Sequence, residues 1–384
     1  MSFTFNSPTT ILSEPGLASR LGPVVKSRIG TKVMVVTDPG LVGAGLLDPV
    51  VSGLTAGGIA VEVFQDVVAD PPERVVLAAT DQAKAAGVEG VIGLGGGSSM
   101  DVAKLVALLV GGGETIGDIY GVGLAQGPRL PLMQIPTTAG TGSEATPVAI
   151  VTVGAEVKKG VVTPITLPDV AVLDAELTLG LPAPVTAATG YDAMVHAIEG
   201  YTSTAANNNP ISQVLARQAL RLLGANLVTV VEDGRNLQAR SDMLLGSLLA
   251  GMAFGNSPVA AVHALAYPIG GIFHQPHGIS IGLVLPHVME FSAPKCEAQY
   301  ADLACDVFPD LSEAPSQTRC GSFIERMSGL RDTIGLPTQL RSVGITQSDL
   351  PRMAEQAMIQ TRLLVNNPRA VTEADALAIY KAAY

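Results

Sequence analysis

The chain has 384 residues, 47% hydrophobic and only 15% charged, with a formal net charge of −11 and 42 glycines spread through apolar and turn-like segments. That length suits two domains better than one, because single cores stop growing near ~250–300 residues. The acidic balance and the absence of a basic run exclude a nucleic-acid partner, whose phosphates demand clustered Lys and Arg.

The opening residues, MSFTFNSPTT, lack the basic flank and apolar run of a signal peptide, which predicts a cytoplasmic protein. From residue 33 to 174, short β-branched runs (VMVVT at 33–37, VEVF at 61–64, VIGL at 91–94, LMQI at 132–135, VAVLD at 170–174) alternate with helix-like segments such as 73–86. Buried parallel strands read this way, so the first half is expected to be an open, doubly wound α/β sheet of Rossmann-like type. After the proline-punctuated TLGLPAP the texture turns to helical runs at 210–232, 235–253 and from Glu373 onward. The expected division is a dinucleotide-binding α/β domain over 1–181 and an all-α, metal- and substrate-binding domain over 182–384.

Two strand-end motifs point to a nucleotide. VIGLGGGSSMDVAK, at 91–104, is a buried strand, a glycine turn and a helix start with Ser98 or Ser99 available as N-cap. Such a turn lets backbone N–H groups approach a pyrophosphate at a helix N-terminus, although it departs from GxGxxG. PTTAGTGSE, at 136–144, follows another strand with small residues and hydroxyls. A third loop, TDPG at 37–40, presents Asp38, either as an acceptor for ribose hydroxyls that favours NAD over NADP or as an ordinary Asx turn before Pro39.

The five histidines stand at 196, 263, 274, 277 and 287, and no Asp, Glu, Lys or Arg occurs from Met243 to Met289. Pro258, Pro268, Pro276, Pro286 and the Gly270-Gly271 pair are expected to break that stretch, leaving no membrane span. In GYDAMVHAIEGY, Asp192 and His196 lie four residues apart on one helix face. With His263 and His277 they supply one carboxylate and three imidazoles, a set suited to Fe²⁺ or Zn²⁺ rather than Mg²⁺ or Ca²⁺. His274 reads as a further polar group near that site, a partner of a ligand, or a hydrogen-bonded core histidine. His287 reads as structural. Cys296, Cys305 and Cys320 share no metal-like spacing and read as reduced thiols.

GGGSSMDVAK, PTTAGTGSE, GYDAMVHAIEGY and HALAYPIGGIFHQPHG, in that order, resemble the signatures of iron-containing (group III) alcohol dehydrogenases, over nearly the whole chain. The resemblance implies a dehydroquinate synthase-like architecture with an active-site cleft between two domains, and metal ligands at Asp192, His196, His263 and His277. It implies cofactor contacts by Asp38, Gly95, Gly96, Gly97, Ser98, Ser99 and Asp101, by Thr137, Thr138 and Thr141, and by Lys159 in a KKG turn, with Leu177 near the adenosine. It also implies homo-oligomers built on a dimer. Many members carry a second histidine four residues after the His263 position; here Tyr267 stands there, similar to the hydroxyacid-oxoacid transhydrogenase and hydroxyacid dehydrogenase branch.

The expected activity is metal-assisted hydride transfer between NAD(H) and a small primary alcohol, diol or hydroxyacid, without nucleic acid or membrane partners. Tyr267 and His274 are the candidates for substrate orientation and proton transfer, with Phe254 as an apolar wall. The chief alternative is a hydroxyacid-oxoacid transhydrogenase with tightly bound NAD. A lyase similar to dehydroquinate synthase would need several Lys and Arg for a phosphorylated substrate, which the charge-free stretch does not provide. A binding protein that had lost catalysis would have little reason to keep all four ligands and the glycine turn.

Overall fold

The computed structural model describes residues 2–154 and 157–384. Two compact units separate within it, Asn6–Gly180 and Leu181–Tyr384, the latter also including the segment before Asn6.

In the first unit the strands are β1 (Thr10–Ser13), β2 (Lys32–Val36), β3 (Ala60–Phe64), β4 (Gly90–Gly95), β5 (Gly121–Val122), β6 (Leu132–Pro136), β7 (Val148–Val153), β8 (Val157–Val162) and β9 (Val170–Leu173). Its helices are α1 (Gly22–Arg28), α2 (Pro39–Gly43), α3 (Leu47–Ala56), α4 (Glu73–Ala86) and α5 (Gly97–Gly112). Six strands form one parallel sheet in the order β1-β9-β6-β4-β2-β3. Apolar side chains alternate to its two faces and pack there as two clusters, one around Met34, Val91 and Leu105, the other around Val33, Ile92 and Leu54. The five expected strands are all present. The sheet also contains β1, and β5, β8 and β7 form a separate three-stranded sheet in which β7 and β8 are antiparallel.

Because β2 pairs with both β3 and β4, the order reverses between β2 and β4. Ligands bind doubly wound sheets beyond the strand C-termini at such a switch point.

The second unit is helical: α6 (Ala183–Thr202), α7 (Pro210–Glu232), α8 (Leu237–Asn256), α9 (Ala261–Phe273), α10 (His277–Val307), α11 (Ser316–Thr333), α12 (Leu350–Met358), α13 (Thr361–Leu364) and α14 (Glu373–Ala382). Helices α6, α7 and α8 pack on one another, α10 lies against α6 and α7, and α9 packs on α10, α12 and α13. Among the described residues one helix, α7, is long and apolar enough to cross a membrane.

The charge-free stretch breaks between α8 and α9 and between α9 and α10, at Pro258 and Pro276, with a turn of 105° at the first break. Pro268 and Pro286, expected to be breaks, lie inside α9 and α10, and Gly270 and Gly271 are also helical. An interior proline forfeits one backbone hydrogen bond but need not end a helix whose faces are held by packing. The turn after α8 is tied down at three points: Ser257 Oγ donates to Gly200 O (2.7 Å), Ser203 Oγ to Pro258 O (2.7 Å) and Asn366 Nδ2 to Val259 O (3.0 Å).

Candidate metal centre and nucleotide site

Asp192 and His196 project from the buried middle of α6, one turn apart. His263 enters from the first turn of α9, and His277 is the first residue of α10. Their polar atoms converge on Asp192 Oδ1, which lies 3.8 Å from His196 Nε2, 3.6 Å from His263 Nε2 and 3.9 Å from His277 Nε2. Asp192, His196 and His263 each offer a ligand atom within 4.8 Å of the others. His277 borders this trio with a 38% exposed side chain. The rings are layered, His196 on His263 at 4.7 Å between centroids and Phe254 on His196 at 4.3 Å.

Whether a metal fits can be judged from these atoms. Asp192 Oδ1 and His263 Nε2 are buried and have no hydrogen-bond partner among the described residues. Burial pushes the Asp192 carboxyl up to about 7, with His263 opposing and Glu199 adding to the rise. A buried carboxylate without a hydrogen-bond partner is stabilised either by a proton or by a compensating cation. Four ligands about 2.1 Å from one ion at tetrahedral angles stand roughly 3.4 Å apart, close to the observed separations. The donor set therefore fits a divalent transition metal.

One residue here was not assigned from the sequence. Glu199, a buried carboxylate on α6, approaches His263 Nδ1 at 2.5 Å through Oε2 and accepts from Val262 N–H at 2.7 Å through Oε1. Burial lowers the His263 pKa, but the Glu199 hydrogen bond and the charges of Glu199 and Asp192 outweigh it and leave it raised. The signal was present: positions 192, 196 and 199 follow an i, i+4, i+7 stripe.

Other residues singled out for this unit fall differently. Tyr267 is half-buried on α9 with its ring 6.2 Å from that of His277. His274 ends α9 in the left-handed region (φ 54°) with an exposed side chain, outside the cluster. His287 is also outside it, with Nδ1 3.9 Å from Glu290 on the same helix. The three cysteines are unpaired.

In the first unit the three expected loops sit side by side at the C-termini of β2, β4 and β6. Gly95 has φ 151°, and a Cβ there would meet Ser99 Oγ at 2.7 Å, so the strand can turn into α5 only with glycine. The cap of α5 is Gly96, two residues before the nearer of the expected serine caps, so Ser98 and Ser99 lie inside the helix. The chain's cofactor candidates Gly96, Gly97 and Ser98 are partly exposed at this helix start. Thr137 N–H donates to Gly95 O (3.0 Å), and Thr138 and Thr141 lie beside Gly96 and Gly97.

Asp38 serves as the Asx cap: its Oδ1 accepts from Leu41 N–H (3.1 Å) and Oδ2 from Ser99 Oγ (3.4 Å). Asp101 turns inward, accepting from Ser143 Oγ (2.7 Å) and Ile150 N–H (2.9 Å). Fully buried Lys104 donates to Ser143 Oγ (2.7 Å), Thr146 Oγ1 (3.3 Å) and Val148 O (2.7 Å). Lys159 belongs to strand β8 rather than to a turn, and its ammonium stands 5.1 Å from the Tyr120 ring centroid. Leu177 packs into one sheet core at 8% exposure.

A doubly wound sheet with a Gly-rich turn at its switch point and a helical unit with an Asp/His cage define a metal-dependent, nucleotide-linked oxidoreductase. Comparison with known proteins agrees. Residues 8–175 match the family model for iron-containing alcohol dehydrogenase, and residues 186–384 match that for the C-terminal part of the Fe-containing alcohol dehydrogenase family. The chain belongs to this family and is an oxidoreductase acting on alcohols. It is 42% identical to long-chain-alcohol dehydrogenase 1 of Geobacillus thermodenitrificans over 96% of this chain and 93% of that protein. The crystal structure of a 1,3-propanediol oxidoreductase superposes with a TM-score of 0.96 at 33% identity, covering 100% of both chains. The sulfoacetaldehyde reductase of Bifidobacterium kashiwanohense in complex with NAD+ superposes with a TM-score of 0.88 at 28% identity, covering 100% of this chain and 98% of that one. These names are those of dehydrogenases and reductases, which does not favour the transhydrogenase alternative suggested by Tyr267.

Proposed function

We propose that the chain interconverts a small, uncharged primary alcohol or diol and its aldehyde, using freely exchanging NAD(H) and iron held by Asp192, His196, His263 and His277. The convergence of three Nε2 atoms on Asp192 Oδ1, with His263 and His277 supplied by the stretch free of charged residues from 243 to 289, carries this reading. Bound there, the metal supplies a Lewis acid to the substrate oxygen, and the nicotinamide supplies the hydride acceptor or donor.

The protein's own groups do the rest. Asp192 provides the single ligand charge, and the three imidazoles bind as neutral donors. Phe254, stacked on His196, forms an apolar wall that keeps water from the ligands. Tyr267 offers a hydroxyl that orients the alcohol oxygen, and His274 is the exposed candidate for passing its proton to solvent. The α5 N-terminus with Gly95, Gly96, Gly97, Ser98 and Ser99 receives the pyrophosphate, supported by Thr137, Thr138 and Thr141. Asp38 faces the ribose, with Lys159 and Leu177 as the more distant contacts; Asp101 supports the turn from beneath. The absence of Lys and Arg from 243–289 favours neutral substrates over sulfonates or carboxylates. A cytoplasmic homo-oligomer completes the reading.

The test is an NAD-linked screen of primary alcohols, diols, ω-hydroxyacids and sulfoacetaldehyde, on metal-stripped protein reloaded separately with Fe²⁺ and Zn²⁺. Turnover of neutral alcohols or aldehydes only after reloading is expected. Metal-independent turnover, or exclusive use of anionic substrates, overturns the proposal.

A further inference from the structure

Helix α9 begins without a cap of its own. Its N-cap is Ala260, whose side chain accepts nothing, and the first turn of a helix leaves N–H groups unsatisfied. Glu199, from the neighbouring helix α6, fills that role from outside: Oε1 accepts the Val262 N–H at 2.7 Å, while Oε2 lies 2.5 Å from Nδ1 of the next residue, His263. The two oxygens of one buried side chain thus grip the backbone and the ring of adjacent residues. At the opposite edge of the imidazole, Nε2 is buried, has no hydrogen-bond partner among the described residues and lies 3.6 Å from Asp192 Oδ1.

We propose that Glu199 is a positioning residue for the metal centre, holding α9 by its first turn and fixing His263 as the Nδ1–H tautomer so that the Nε2 lone pair is presented to the ion. This rests on the reading of Asp192, His196, His263 and His277 as the ligand set. A neutral imidazole carries one proton. If Nδ1 donates it to Glu199, Nε2 is free to ligate; if Nε2 holds it, the ligand is lost. A metal-ligating histidine whose other nitrogen is anchored by a carboxylate typically loses ~10–100-fold in metal affinity when the anchor is removed.

Glu199→Gln separates this role from simple helix capping. An amide has one acceptor end, so with Gln at this position either one of the two contacts fails or His263 turns to the Nε2–H tautomer, which cannot ligate. The experiment titrates metal-stripped full-length wild type, E199Q and D192A with Co²⁺ against a chelator of known affinity and records thermal midpoints without metal. E199Q is expected to bind Co²⁺ about 10–100-fold more weakly than wild type, and D192A to lose stoichiometric binding. If D192A loses Co²⁺ but E199Q binds within twofold of wild type, Glu199 is only a cap and the inference is overturned. If D192A binds as wild type does, the ligand set itself is wrong.

Should E199Q not fold, the tautomer is read directly in metal-free wild type labelled with ¹⁵N-histidine. Long-range ¹H–¹⁵N correlations, recorded at alkaline pH where the ring is neutral, are expected to show His263, assigned by its loss in H263A, as Nδ1–H. An Nε2–H signal overturns the inference.

Discussion

Replacing Gly278 by alanine should dislodge His277, even though alanine is preferred to glycine within a helix by ~1 kcal/mol. Gly278 follows that histidine at the start of α10, and a Cβ there would stand 2.2 Å from the Ala188 carbonyl oxygen and 2.6 Å from its carbon. Both obstacles are backbone of α6, so no rotamer change relieves them. The start of α10 must retreat by at least 0.8 Å (3.0 − 2.2 Å) to reach the closest approach that Cβ atoms ordinarily show. Overpacking of this kind costs ~1–3 kcal/mol. The ligand geometry is far less forgiving, since metal–ligand distances tolerate only about ±0.2 Å. G278A is therefore expected to lower the thermal midpoint and to retain less than stoichiometric metal after gel filtration, measured by atomic emission. A G278A protein with the wild-type midpoint and full metal content would refute the steric reasoning.

Three further outcomes follow from other parts of the molecule. Phe254→Leu removes the ring stacked at 4.3 Å on His196; metal content is expected to hold while KM for short alcohols rises, and unchanged steady-state kinetics would argue against an apolar wall there. Asp38→Gly should raise the NADP/NAD ratio of kcat/KM and weaken the start of α2 by a few tenths of a kcal/mol, since the carboxylate that caps Leu41 N–H is the one proposed for the ribose; an unchanged ratio would count against the ribose role. Burial pushes Glu144 up to about 7 against the pull of its own backbone N–H and of Lys104, and neither carboxylate oxygen has a hydrogen-bond partner from another of the described residues. The folded state thus holds this proton longer than the unfolded state, whose glutamate pKa is ~4.3. The group's effect on stability is therefore an increasing penalty as pH rises from about 4.3 to 7, constant above. Glu144→Gln should gain stability relative to wild type across that window in urea unfolding, and parallel curves would exclude the effect.

The parts of the fold legible from sequence were those with a strong period or a strong break. Five strands and the long helices from residue 210 announced themselves through β-branched runs and apolar faces, and Asp192 and His196 through their one-turn spacing. The β7–β8 hairpin escaped because AIVTVGAEVKKGVV interleaves charge with apolar residues and lacks a two-residue turn signal. Pro268 and Pro286 suggested breaks because local propensity cannot register tertiary packing on both sides of a helix. Glu199 was visible in its stripe, but nothing local distinguishes a carboxylate that anchors a ligand from one facing water. Its partner lies 64 residues away, and only the fold brings the two together.

The buried Lys104 has a consequence for how this cofactor site can change. By joining α5 to the segment after β6, it makes two of the three loops a single casting: residues altered in one transmit their displacement to the other through Ser143, Thr146 and the Val148 carbonyl. The Asp38 loop is outside that casting, and its side-chain link to α5 is one 3.4 Å contact with Ser99. If the proposed nucleotide contacts hold, cofactor preference can drift at Asp38 while the start of α5 stays as it was cast, and variants selected for NADP should accumulate on the β2 loop and spare the other two.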